Sequence, residues 1–352
     1  MDLQRSNEWL ELVVYPPLEE IGSYELAEED VVVTCAGFED RAFEFLRRIV
    51  RHGSRRFGVI AIDYLPAEPA NRTIELEQLV EQSNARLQSI KYDRQDPHDP
   101  SSFVLERVPN SGRLFIDTSG MSRLLIVQLV CAIVRANRSE NSHIVYAEAE
   151  QYPPTKDEVD KKFADADKLF SVINFISSGV LGIIVPPELS TVAMYGQPIR
   201  LIAFPSFNPA QFAALCAEIN ASSYTIIHGK PHEEENAWRQ DAIAKLNSIA
   251  KLREAEEVTV STFDYRETLS LLLKVYRQHG DRQKLVIAPT GSKMQALAVG
   301  IVSGFLRDLQ IVYPAPRSFP LPDNYTKGVS RIYGLGLGFL MSKATNGNKI
   351  MD

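Results

Sequence analysis

The sequence carries the same pattern twice, and this repeat constrains the fold more than any other feature of the chain. Residues 114–123 read LFIDTSGMSR and residues 285–294 read LVIAPTGSKM, each an apolar run followed by Ser/Thr-Gly, a hydroxyl residue and a base. Gly120 and Gly291 lie 171 positions apart (291 − 120) and occupy equivalent places. A period of this length is the size of a domain and too long for a solenoid. We therefore predict two related units and a site with pseudo-twofold symmetry between them.

Four further pairs of segments repeat, the first three at nearly the same spacing. The pairs are 31–49 with 200–219, 62–79 with 227–246, the apolar runs that contain Tyr146 and Tyr313, and 177–186 with 326–335. Agreement over five blocks indicates a duplicated unit. We divide the chain into an N-terminal extension (1–28), a first domain (29–195, including a connecting segment over 155–195) and a second domain (196–345).

The order of elements predicts an α/β fold with two tandem Rossmann-like domains. Continuous apolar runs such as VVVTCAG (31–37) and KLVIAPT (284–290) are typical of strands buried on both faces of a parallel sheet. Segments with helical apolar spacing lie between such runs, for example NRTIELEQLVEQSNARL (71–87). This alternation favours a doubly wound, mainly parallel sheet in each half, with ligands beyond the carboxyl ends of the strands. The connecting segment predicts a helix over 156–176 and a strand or hairpin over 183–199.

Composition narrows the class of protein. The 352 residues suffice for two cores, and the net charge of −7 disfavours a broad nucleic-acid surface while permitting a local basic pocket. No apolar run approaches the roughly 20 residues of a membrane span. The N-terminal sequence lacks the features of a secretory signal, and three scattered cysteines fit a reducing cytosol, so we expect a cytoplasmic protein. The six histidines are dispersed and no Cys/His cluster occurs, so we expect no metal and no cofactor.

The two repeated turns are the leading candidates for a binding site. Each follows a strand and opens a helix, where main-chain N–H groups and the helix dipole favour anions. The residues concerned are Ser119, Gly120, Ser122 and Arg123 in the first copy and Thr290, Gly291, Ser292 and Lys293 in the second. Glycine permits close backbone approach, the hydroxyls can donate, and the bases add charge, a combination suited to phosphate. The alternative is a tight strand-to-helix turn with Ser/Thr caps and outward-facing bases.

Loops after other strands offer further candidates, each with a structural alternative. Gly37 and Phe38 lie in AGFEDR, whose acidic residues can also serve the first helical turn. Asn71, Asn236 and Arg239 follow the second strand of each half and can contact a base or a phosphate, or form a polar loop. Asp264 can bind a ribose hydroxyl or cap a helix. No motif identifies catalytic residues.

The SGMSR and TGSKM turns resemble the signature turn of CRISPR-associated Rossmann-fold (CARF) domains. That family binds cyclic oligoadenylates in a pocket shared by two Rossmann-like units, and the resemblance implies an intramolecular version of that pocket. The family's glycine, hydroxyl and lysine carry over onto Gly291, Ser292 and Lys293, and onto Gly120, Ser122 and Arg123 in the first half. Met121 and Ser292 stand where the family usually has a second glycine. Nothing in the chain resembles the nuclease modules of such sensors, so an effector would be a separate protein.

Three functions are compatible with these features. The first is a cytosolic sensor of a nucleotide-derived anion, such as a cyclic oligonucleotide second messenger of prokaryotic antiviral defence, whose halves move when ligand bridges them. The second is a metal-independent ring nuclease or phosphodiesterase acting on such a ligand. The third is a non-catalytic scaffold subunit of a defence or regulatory complex. Pairing of halves between chains, as a homodimer, is also open.

Overall fold

The computed structural model describes residues 3–22, 24–52, 56–68, 71–164, 178–248, 252, 254–318 and 326–341. Within these residues the strands are β1 (Glu19–Glu20), β2 (Val31–Cys35), β3 (Gly58–Leu65), β4 (Arg86–Asp93), β5 (Leu114–Asp117), β6 (Ser142–Ala147), β7 (Ser178–Ile184), β8 (Ile199–Ala203), β9 (Ser223–Lys230), β10 (Ala255–Ser261), β11 (Lys284–Ala288), β12 (Gln310–Ile311), β13 (Tyr313–Ser318) and β14 (Ile332–Gly336). The helices are α1 (Leu3–Leu12), α2 (Glu44–His52), α3 (Thr73–Gln82), α4 (Ser101–Glu106), α5 (Arg123–Arg135), α6 (Lys156–Ala164), α7 (Pro209–Glu218), α8 (Trp238–Leu246), α9 (Tyr265–His279) and α10 (Lys293–Phe305).

Two sheets share one topology, which confirms the predicted α/β class. The first sheet contains the parallel order β4-β3-β2-β5-β6 and the second the parallel order β10-β9-β8-β11-β12. Counted along each half, both read 3-2-1-4-5, the strand order of doubly wound Rossmann-like sheets. The central strands are apolar because helices cover both faces, and all five residues of β2 are buried. The sequence repeat therefore corresponds to a repeat of topology.

The sequence pattern does not predict strand β4. The helical pattern predicted over 71–87 ends earlier, because α3 stops at Gln82 and Asn84 adopts a left-handed backbone conformation (φ 54°). β4 then forms the edge of the first sheet, with four of its eight residues exposed. An edge strand lacks the continuous apolar run of a central strand, so its pattern resembled the end of a helix.

Helices α5 and α10 run side by side and join the halves. A Cβ placed on Gly300 would lie 2.8 Å from Val130 Cβ, and one on Gly304 would lie 2.5 Å from Val134 Cβ. The two glycines therefore permit the helices to approach closely. Residue numbers rise in the same direction along both helices from the first contact to the second. The helices are therefore parallel, and their N-termini lie at the same end. One buried hydrophobic cluster continues from α5 into α10.

The halves also exchange strands. β7 belongs to the first half by sequence but pairs antiparallel with β13 of the second. β14 comes near the C-terminus but pairs antiparallel with β6 of the first sheet. The predicted helix over 156–176 is observed as α6 up to Ala164, and the remainder of that prediction lies outside the described residues. Over the described helices, none is long and apolar enough to cross a membrane.

Candidate functional site

A cavity of about 350 Å³ lies between the halves, at the N-termini of α5 and α10. This is the carboxyl end of both sheets, where doubly wound folds bind ligands. Ten of the residues predicted for the site line it: Gly37, Phe38, Gly120, Ser122, Arg123, Asn236, Arg239, Gly291, Ser292 and Lys293. Both halves therefore contribute to a single site.

The first residue of each central helix reaches across to the turn of the opposite half. Arg123 Nε donates a hydrogen bond to the Gly291 carbonyl at 2.8 Å. Lys293 Nζ donates to the Met121 carbonyl at 2.7 Å. This reciprocity follows from the parallel packing of α5 and α10, which sets the two helix starts beside each other. The two cations therefore sit where the halves meet.

The serines of the repeated turns act as N-caps. Ser122 Oγ accepts from the Leu125 N–H at 3.3 Å, and Ser292 Oγ accepts from the Gln295 N–H at 3.1 Å. Ser292 Oγ also donates to the Thr262 carbonyl at 2.5 Å. In this structure the hydroxyls therefore fulfil the capping alternative, whereas the bases next to them line the cavity.

The glycines allow the turns to pack tightly. A Cβ on Gly120 would lie 3.2 Å from the Cys35 carbonyl oxygen and 3.3 Å from Ala42 Cβ. A Cβ on Gly291 would clash with the side-chain oxygen of Gln295, which accepts from the Ser292 N–H. Gly120 therefore lets the first turn pack against the start of its own half, and Gly291 leaves room for the Gln295 side chain that closes the cap of α10.

The wall of the cavity is positive although the whole chain carries a net charge of −7. Its ionised side chains are five basic and three acidic: Arg41, Arg94, Arg123, Arg239 and Lys293 against Glu39, Glu148 and Glu233. Among the described residues, no carboxylate lies within 4.0 Å of Arg123 or Lys293. Burial lowers the pKa of Lys293 to about 7. The charges of Arg41 and Arg123 also lower this pKa, whereas the charge of Glu39 raises it. An uncompensated buried cation of this kind favours an anionic ligand.

The AGFEDR loop makes the two sides of the cavity different. Arg41 pairs with Glu39 at 2.7 Å and also donates to the Tyr146 hydroxyl at 3.1 Å and the Ala147 carbonyl at 3.2 Å. Burial acts to raise the pKa of Glu39, but the charges of Arg41 and Lys293 outweigh it and keep that pKa below its ordinary value. The corresponding loop of the second half, PSFNPA, has no charged residue. Glu39 and Arg41 were not among the predicted site residues.

Four predicted residues do not line the cavity. Ser119 Oγ accepts from the Ala147 N–H at 2.8 Å, and Thr290 Oγ1 donates to the Phe204 carbonyl at 2.7 Å, so both tie a turn to the neighbouring strand. Asp264 caps α9 and pairs with Arg266 at 2.6 Å, which is its capping alternative. Asn71 lies in the loop before α3 and is not a lining residue of the cavity.

Arg239 lines the cavity, but its guanidinium is hydrogen-bonded to the main chain of the first half. Its guanidinium donates to the carbonyls of Tyr152, Pro153 and Pro154 at 2.8–2.9 Å. Burial lowers its pKa to about 10. Trp238, a candidate for base stacking, packs against Phe207 with ring centroids 6.0 Å apart and does not line the cavity.

Aromatic residues form much of the remaining wall and were largely missed from the sequence. Those lining the cavity are Phe38, Tyr64, Tyr92, Tyr146, Tyr152, Phe207, Phe263 and Tyr313. The Tyr64 hydroxyl accepts from the Ser122 N–H at 2.6 Å and so holds the first turn. The sequence indicated only Phe38 as a site residue, and Tyr146 and Tyr313 as matching positions in the two halves.

Comparison with known proteins yields no family. No family model and no curated protein matches the chain. A phosphoethanolamine N-methyltransferase of Haemonchus contortus is 11% identical and covers 85% of this chain and 76% of its own, with a TM-score of 0.21. A putative universal stress protein of Pseudomonas aeruginosa is 9% identical and covers 82% of this chain and 94% of its own, with a TM-score of 0.23. TM-scores this low carry no argument about function.

Proposed function

We propose that the cavity binds a nucleotide-derived anion that bridges the two halves, and that the protein senses such a ligand. The observation that carries this proposal is the pair Arg123 and Lys293, which line one cavity from opposite halves with no carboxylate partner among the described residues. A ligand phosphate would supply the missing negative charge.

Phosphate suits this arrangement for two reasons. Arg123 donates through Nε to a carbonyl, and its two terminal nitrogens have no hydrogen-bond partner in the described part of the chain. A guanidinium with free nitrogens can bind a phosphate through two parallel bonds. The dipoles of α5 and α10, each 13 residues long, also point their positive ends at the cavity.

The aromatic wall favours a ligand that also carries bases. Tyr64, Tyr146, Phe263 and Tyr313 line the same cavity as the two cations. Aromatic rings stack on nucleobases with little preference for sequence. A phosphate flanked by bases, as in a cyclic oligonucleotide, matches both parts of the wall, and the CARF-like turns favour the same class of ligand.

The test is calorimetric titration with cyclic oligoadenylates, and with ATP as a linear nucleotide. We expect binding by the native protein and a loss of at least about 100-fold in the Arg123→Ala/Lys293→Ala variant, since two charge-assisted contacts disappear. The control is Lys156→Ala/Arg282→Ala, which removes two exposed charges. Equal affinity in both double variants, or no binding of any nucleotide by the native protein, would refute the proposal.

A metal-independent phosphodiesterase is the second candidate, favoured by the cavity-lining amine of Lys293. Because burial lowers its pKa to about 7, this amine can both donate and accept a proton at neutral pH. Incubation of the native protein with a bound cyclic oligonucleotide in EDTA distinguishes the two functions. Linear products that disappear in Lys293→Met indicate an enzyme, whereas intact ligand indicates a sensor alone.

A further inference from the structure

Three potential metal ligands converge on the cavity wall from different parts of the chain. His232 Nε2 lies 3.3 Å from a carboxylate oxygen of Glu148 and 3.2 Å from one of Glu233. The three ligand atoms all lie within 4.8 Å of one another. Glu148 directly follows β6 of the first half, and His232 and Glu233 follow β9 of the second. The cluster therefore spans the junction between the halves.

Two of the three separations fit a coordinated ion. Zinc binds imidazole nitrogen and carboxylate oxygen at roughly 2.0–2.2 Å, so neighbouring ligand atoms of a tetrahedral or octahedral ion lie roughly 3.0–3.5 Å apart. The two distances from His232 Nε2 fall in this interval. All three residues line the cavity, so an ion held there would keep coordination positions open towards it.

The surroundings orient two of the three ligands. Glu148 presents one oxygen to His232, while the other accepts from the Tyr333 hydroxyl at 3.4 Å. The His232 ring packs on Phe263 with centroids 4.5 Å apart. A hydrogen-bonded carboxylate of this kind is typical of metal ligands.

We propose that Glu148, His232 and Glu233 form a site for a divalent transition metal such as Zn²⁺ or Mn²⁺. One imidazole and two carboxylates form a ligand set that both ions accept, and a divalent charge there would neutralise the two carboxylates. The ion would add positive charge to the cavity at the junction of the halves. This inference is independent of the nucleotide proposal and is tested without nucleotide.

The experiment is a Co²⁺ titration of the full chain, purified without a histidine tag and stripped with EDTA, followed by visible absorption. We expect one Co²⁺ per chain, displaced by Zn²⁺, and at least about tenfold weaker binding in His232→Ala and in Glu148→Gln. The matched control is His228→Ala, because His228 also pairs with a glutamate, Glu257 at 3.0 Å, but does not line the cavity. The control should bind Co²⁺ like the native protein.

Two results would overturn the metal site. One is equal Co²⁺ binding by the native protein and by folded His232→Ala, and the other is no binding above background by the native protein. Circular dichroism of each variant establishes that it is folded. In the second result the cluster is an ion-pair triad that links the halves. Neither result bears on Arg123 and Lys293, so failure here is distinguishable from failure of the nucleotide proposal.

Discussion

At the scale of single residues, Lys293 combines a charged side chain with a buried position. Its ammonium is hydrogen-bonded to the Met121 carbonyl, yet no carboxylate lies within 4.0 Å among the described residues. Burial, with the nearby charges of Arg41 and Arg123, lowers its pKa from 10.5 to about 7. Folding stability is therefore linked to the protonation of this amine, and affinity for the proposed anion would be linked to it as well.

Replacing Lys293 with methionine should stabilise the ligand-free protein at neutral and acidic pH. In the unfolded chain this amine has its ordinary pKa of 10.5, so the unfolded state holds the proton more tightly than the folded state. The charged lysine therefore destabilises the fold, and this destabilisation is complete below about pH 7. It diminishes as pH rises from 7 towards 10.5. We expect a gain on the order of a few kcal/mol at about pH 6 that shrinks at about pH 9. Urea unfolding at both pH values measures it. Arg123→Met is the control, because a guanidinium stays protonated throughout. A pH-independent effect of Lys293→Met would contradict the assignment.

Ligand binding should take up a proton at Lys293. An anion beside the amine favours the charged form, so affinity should fall by up to about tenfold per pH unit as pH rises above 7. Titration calorimetry in two buffers of different ionisation enthalpy reports the proton taken up. Lys293→Met should abolish the uptake, and an uptake that persists in that variant would assign it to another group.

At the scale of elements, the packing of α5 on α10 positions the site. The contact is close because Gly300 and Gly304 lie against Val130 and Val134. The parallel arrangement then sets the two helix starts side by side, which brings Arg123 to Gly291 and Lys293 to Met121. A small separation of these helices would open both hydrogen bonds together.

Alanine at Gly304 should destabilise the protein although alanine favours helix. The added Cβ would lie 2.5 Å from Val134 Cβ, and overpacking of this kind costs about 1–3 kcal/mol, more than the ~1 kcal/mol of improved helix propensity. Val134→Ala should restore part of the loss in a double-mutant cycle measured by urea unfolding. Gly182→Ala is a control, because no atom lies within 4 Å of its added Cβ. Additive effects of Gly304→Ala and Val134→Ala would show that the two do not meet.

At the scale of the whole molecule, strand exchange makes the halves interdependent. β14 completes the first sheet from near the C-terminus, and β7 pairs with the second half from the connecting segment. Each half therefore depends on a strand that the domain division at 195/196 assigns to the other. The proposed ligand would therefore bridge two halves that the exchanged strands already connect.

Ending the chain at residue 325 should loosen the first half more than the second. This change removes β14, and with it the antiparallel partner of β6, while β11 keeps both its neighbours. Amide hydrogen exchange should show faster exchange in β6 and unchanged exchange in β11. Uniform loss of protection over both sheets would mean that the halves unfold as one unit.

Sequence alone determined the local elements and their repetition. Continuous apolar runs indicated the buried strands, Ser and Gly marked the strand-to-helix turns, and near-constant spacing indicated two equal units, because these signals depend on near neighbours in the chain. The exposed edge strand β4 lacked such a signal. The sequence did not decide whether Ser119, Ser122 and Asp264 face a ligand or serve the local structure of their turns.

Only the tertiary structure decided which residues meet across the two halves. Arg123 bonds to a carbonyl 168 positions away and Lys293 to one 172 positions away, and both contacts depend on how closely α5 approaches α10. Other contacts also join distant parts of the chain: the pairing of the exchanged strands β7 and β14, the hydrogen bonds of Arg239, and the cluster of Glu148 with His232. A pattern of period 2 or 3.6 specifies which face of an element is apolar, but not which other element covers it. That choice is made by the packing of the whole chain.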